Sequence, residues 1–269
     1  MDLPSWMPDF VQAWIRFIVE WGSHDLVLPY VVALLLFALG AVGIWLKPHW
    51  ATIPHELGHA FVALLLGKKI SGININQDTS GDTRTTEYKS ANPAVALLTS
   101  PFRWIRGIFV SFAGYPAPFL LSLVLVYLWS HDLTRLALMF VFFLLIFTLF
   151  YSRNLFGFGM VVLGIAIVSI LIWLLDYPWV HEVFIVLLAG GMMSGGVRGV
   201  WEAWRVYDQD RKMSKENWDD PTFEPQHSDA RALTKVTLLP QIIWLSVFTL
   251  VGTGISLWTL VELASAYPS

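Results

Sequence analysis

Apolar residues fall in seven long runs separated by polar breaks: Leu26–Leu46, Trp50–Leu66, Gly107–Trp129, Leu133–Tyr151, Asn154–Leu175, Val180–Trp201 and Val236–Val261. Crossing a bilayer as a helix takes about 20 mostly apolar residues. The pattern therefore predicts an all-α polytopic membrane protein with about seven transmembrane helices. Trp50–Leu66 stands apart: it rises only about 25 Å, short of the roughly 30 Å hydrocarbon core. Pro54 also disturbs its first turn. Whether this segment spans fully or enters as a short helix held among the others is open.

Two polar stretches are long, 67–106 and 202–232. The first opens with Lys69–Asn76, which alternates apolar and polar residues. The turn-forming Asp78–Asp82 and the Thr-rich Thr83–Tyr88 follow. This predicts a small β-hairpin. The second stretch is charged, contains Trp218, Pro221 and Pro225, and reads as irregular. Residues 1–25 lack a basic start and a small-residue cleavage site. They place Trp6, Phe10, Trp14, Phe17 and Ile18 among charges, as an amphipathic helix lying in the interface would. The remainder, 26–269, reads as a single transmembrane domain.

Charge orients this layout. With a cytoplasmic N-terminus and seven spans, every one of the 17 Lys and Arg except Lys47 and Arg135 falls on the inner side, as the positive-inside rule requires. The expected placement is the cell membrane, with a cytoplasmic hairpin and an external C-terminus. Composition agrees with a lipid-embedded chain: 56% of residues are hydrophobic, 14% are charged and 14 are Trp. Mean hydropathy is +0.60. A net charge of −3 argues against a nucleic-acid partner. With no cysteine, no thiolate can bind a metal.

The chemistry concentrates in His55-Glu56-Leu57-Gly58-His59. Residues four apart share a helix face, so both imidazoles can reach one ion, and neutral imidazole suits zinc. Glu56 lies beside that face and can take a proton from a metal-bound water. Gly58 leaves room for another helix to approach. Polar side chains in an apolar segment are costly unless paired, hydrated or metal-bound. Structural hydrogen bonding between helices is the competing reading. A zinc site needs a third protein ligand. On spacing alone Asp229, in His227-Ser-Asp-Ala-Arg, reads first as a helix N-cap. Asp78 and Asp82 serve the hairpin turn.

A membrane-embedded His-Glu-Leu-Gly-His-Ala resembles the site-2 protease family of intramembrane zinc metalloproteases, in its compact bacterial branch without a PDZ domain. The similar stretches are Ile53–Phe61, Gly81-Asp-Thr-Arg-Thr85, Phe112-Ala-Gly-Tyr-Pro-Ala-Pro118, Arg153-Asn-Leu-Phe-Gly157 and Ser228-Asp-Ala230. The resemblance implies His55 and His59 as zinc ligands and Glu56 as general base. It also implies that the segment from Gly114 to Pro118 packs beside the active helix. One departure matters: the family's Asp-Gly ligand motif has no counterpart at 153–157. The resemblance then points to Asp229 as third ligand, with His227 and Asn154 as alternatives. Asn154 can equally bond substrate or backbone, or cap the fifth helix. The implied activity is a zinc endopeptidase acting on single-span or membrane-anchored proteins. Such a substrate must unwind locally, and the strand Ile70–Asn76 offers an edge to hold it; a closed hairpin covering the site is the other possibility. A catalytically silent scaffold with the same fold is the alternative function. A transporter would spread charges over several mid-membrane segments, which this chain does not.

Overall fold

The computed structural model describes residues 27–46, 49–86, 100–173, 178–216 and 228–266. The expected interfacial segment 1–25 and His227 lie outside them. Every apolar run becomes helix: α1 Val27–Leu46, α2 His49–Leu65, α3 Ser100–Ala113, α4 Pro116–Ser130, α5 Thr134–Tyr151, α6 Leu155–Trp173, α7 Pro178–Glu216, α8 Asp229–Thr237 and α9 Gln241–Ser265. Strands β1 Lys69–Ile75 and β2 Gly81–Thr86 form the one small sheet among the described residues.

Among the described residues, four to six candidate spans stand beside the expected count of about seven. α5, α6, α7 and α9 are each long and apolar enough to cross, and six result if each of two bent pairs makes one crossing. The axes of α1 and α2 differ by 87°, and those of α3 and α4 by 57°. The second bend has a local cause. Pro116 cannot donate a helical hydrogen bond, so the apolar run stops at Gly114–Tyr115 and restarts with Pro116 as the first helical residue. Leu35, Leu39, Phe143, Phe150 and Leu250 are exposed on the outer helices, as lipid-facing side chains are.

α7 carries a correction. The polar stretch from Glu202 was expected to be irregular, yet the helix continues through it to Glu216. Its 39 residues measure about 58 Å, so α7 outruns the roughly 30 Å core. Pairs such as Arg198–Glu202 and Lys212–Asp208, four residues apart at 2.7 Å, support the polar end. Within the apolar part, α7 meets α1 backbone to backbone. A methyl at Gly40 would sit 2.8 Å from Leu187 Cα, and one at Gly190 would sit 3.0 Å from Phe37 Cα.

The hairpin turns through Gln77–Thr79, with Thr79 at φ 72° and Asn76 N–H donating to the Ser80 carbonyl at 2.9 Å. The Ser80 hydroxyl and amide both bond Asp78 and hold its carboxyl below the usual carboxylate range. Bonded and non-bonded pairs alternate along an antiparallel ladder. Counting from the bonded Asn76/Ser80 pair, Ile75↔Gly81 and Ile73↔Thr83 turn their peptide groups away from each other. On the β1 side those groups are already taken. Arg153 N–H donates to Ile73 O at 3.0 Å, and Ile75 N–H donates to Asn154 Oδ1 at 3.1 Å. The edge of Ile70–Asn76, left open above as either a substrate edge or part of a closed hairpin, is therefore occupied by the α5–α6 connection. Among the described residues, no strand pairs with the other edge of β2.

Candidate metal centre

The helix α2 carries His55, Glu56 and His59 near its middle and buries Ile53, Leu57, Ala60 and Ala63. Glu56 and His59 are buried with them. Gly58 faces α3 and α4: a methyl there would lie 2.5 Å from Ala113 O and 2.7 Å from Ala117 Cβ. That approach brings the broken segment Gly114–Pro118 onto the histidines. A methyl on Gly114 would stand 2.6 Å from His59 Cε1 and 2.7 Å from His55 Nε2. Pro118 is buried and lines the same cavity. Tyr115 meets the His55 ring edge-on, with centroids 5.0 Å apart, and stacks on Phe248 at 4.5 Å.

Asp229 reaches this point because its helix is separate. Ser228, not Asp229, caps α8, accepting the Arg231 N–H at 3.3 Å. That leaves the Asp229 carboxylate free of the capping role that spacing had suggested for it. At the other end Leu238 turns left-handed (φ 62°) and Pro240 precedes α9. α8 can therefore lie at its own angle against α3, where Trp104 Nε1 donates to Val236 O.

Asp229 Oδ2 stands 3.1 Å from His55 Nε2 and 3.1 Å from His59 Nε2. The two Nε2 atoms are 3.2 Å apart. These three are the group among the described residues able to hold a metal ion together. His59 Nδ1 is 2.6 Å from Val110 O. Donation to that carbonyl fixes the tautomer and turns the Nε2 lone pair toward the shared point. Asn154 is not in the group; its side chain bonds both polar groups of the Ile75 backbone.

Glu56 sits beside the triangle. Its Oε2 accepts the Thr83 hydroxyl at 2.6 Å. A methyl at Gly81 would lie 2.6 Å from Glu56 Cδ. β2 thus covers Glu56 and directs one carboxylate oxygen. Thr83 and the Val110 carbonyl were given no role by the sequence reading. Thr83 lay in a stretch already singled out, whereas a backbone acceptor leaves no signal in residue type. The cavity enclosing these groups measures about 710 Å³ and admits Gly81, Thr83 and Thr85 along one wall.

Close packing at Gly114 yields a prediction. Overpacking of this kind costs about 1–3 kcal/mol. Gly114→Ala should spread the two imidazoles and weaken metal binding by about tenfold, read by titration of the metal-free protein. Wild-type affinity in that variant would show that the rings yield without cost.

A family model described as Peptidase M50B-like matches residues 27–259. None of the curated proteins and none of the solved structures matches the chain.

Proposed function

The chain belongs to the Peptidase M50B-like family, within the site-2 proteases, and is a membrane metallopeptidase; on that premise we propose that it is an intramembrane zinc endopeptidase with His55, His59 and Asp229 as metal ligands and Glu56 as general base. The observation that carries the proposal is the donor triangle, with edges of 3.1, 3.1 and 3.2 Å. Zinc bonds of about 2.0–2.1 Å make a tetrahedron with edges of roughly 3.3 Å, so the residues present fit the ion. Two imidazoles and a carboxylate are also a donor set used by catalytic zinc, which keeps its fourth position for water or substrate.

Held by His55, His59 and Asp229, a zinc ion would acidify a bound water and polarise the scissile carbonyl. The chain's own residues do the rest. Glu56, held by Thr83, takes a proton from the attacking water and delivers it to the leaving amine. Val110 keeps His59 in the ligating tautomer. The substrate is a membrane-spanning or membrane-anchored protein whose helix unwinds, because a helix hides its carbonyls in its own hydrogen bonds. The unwound stretch adds to the β2 edge at Gly81 and Thr83, whose outward peptide groups meet no backbone partner among the described residues and border the cavity. Strand addition of this kind supplies main-chain hydrogen bonds regardless of sequence. On the seven-span layout, the bias of Lys and Arg favours the cytoplasmic side of the cell membrane for the hairpin.

The test is metal analysis of the purified full chain in lipid, joined to cleavage of a co-reconstituted single-span reporter. Stoichiometric zinc and chelator-sensitive cleavage are expected. A protein that takes up no zinc under any loading condition returns the fold to the role of a silent scaffold.

A further inference from the structure

Of the three donors, Asp229 depends on the least anchored element. α8 has nine residues and ends in a left-handed turn. Its buried side chains Ala230 and Leu233 pack with Phe119, Leu245 and Phe248. Apolar contact is non-directional; it sets how deep α8 lies but not its register along the neighbouring helix. The bond from Trp104 to Val236 O fixes the far end. The ligand end needs a polar constraint of its own.

Arg231, two residues beyond Asp229, supplies one. Its Nη1 lies 3.6 Å from Asp210 Oδ2 on α7. The Asp210 side chain is only 8% exposed and that of Arg231 is 26% exposed. A carboxylate that deep is costly without a facing cation, and Arg231 brings one from α8. The pair is therefore coupled to the docking of α8. α7 is a firm reference for it, because its backbone is seated against α1 at Gly40 and Gly190.

We propose that Asp210 and Arg231 are positioning residues for the metal centre. Their ion pair sets the register of α8 against α7 and so keeps Asp229 Oδ2 within reach of both imidazoles. This inference rests on the reading of His55, His59 and Asp229 as metal ligands. It adds a dependence of metal affinity on a contact that touches neither metal nor substrate.

The experiment measures zinc affinity of the full chain in lipid by competition with a chelator, and separately the melting of the metal-free protein. Loss of an outer partner of a metal site costs about 10–100-fold in affinity. Asp210→Asn and Arg231→Gln should each raise the zinc Kd by that factor. The double variant should be no worse than the worse single one, because both changes break one contact. Asp210→Glu, which keeps the charge, should retain wild-type affinity. Should Asp210→Asn fail to accumulate folded, Arg231→Gln reads the same contact. Wild-type affinity in Asp210→Asn or Arg231→Gln overturns the proposal, as does an Asp210→Glu variant as weak as Asp210→Asn. A wild-type chain that binds no zinc instead overturns the ligand assignment on which the proposal stands.

Discussion

Glu56→Gln should leave zinc bound at wild-type stoichiometry while lowering reporter cleavage by about 10²–10⁴-fold, the range lost with a general acid or base. The geometry separates the two effects. Glu56 is next to the donor triangle but not in it, so the amide removes a proton acceptor and leaves every ligand in place. The amide is nearly isosteric and still accepts the Thr83 hydroxyl through its carbonyl oxygen, so β2 keeps its seat over α2. Metal content and turnover are measured on the same preparation. Unimpaired cleavage by the zinc-loaded variant would remove Glu56 from the chemistry. Loss of zinc together with cleavage would mean that the carboxylate binds the metal.

Asp229→Ala should act on the metal itself. It deletes one of three proposed ligands and leaves two imidazole Nε2 atoms 3.2 Å apart to hold the ion. The expected fall in zinc affinity exceeds the about 10–100-fold typical of an outer partner, and cleavage should vanish with it. Competition titration reads the affinity. Unchanged occupancy would reject Asp229 as a ligand and reopen the place for His227. Because Ser228 makes the cap, α8 should keep its helical start in this variant, which separates a metal defect from a folding defect.

The long helices were legible because each buries an apolar surface, or presents one to lipid, long enough to register in the chain. α2 was legible as a helix, proline included, because its apolar run holds two histidines at the four-residue spacing of one helix face; how far it crosses was not. The end of α7 was not, since a charged, Trp-bearing stretch has no apolar period. Salt bridges four residues apart support the polar end, and a propensity reading weighs them lightly. The two bends were not legible, because they depend on how helices seat against one another rather than on their composition. Asp229 was ambiguous for a clear reason: Ser228 and Asp229 are both good caps, and only the backbone decides which one does the capping. The free edge of the hairpin could not be assigned, because Asn154 lies 79 positions from Ile75 and nothing local marks the pair.

The contact of α1 with α7 bears on how a lipid-borne helix enters. Backbones that touch at Gly40 and Gly190 leave no side-chain layer to slide or swing aside, so that seam behaves as a weld. Lateral admission is denied along that flank of the bundle. On the proposed function, a substrate helix would reach the cavity along another flank of the bundle.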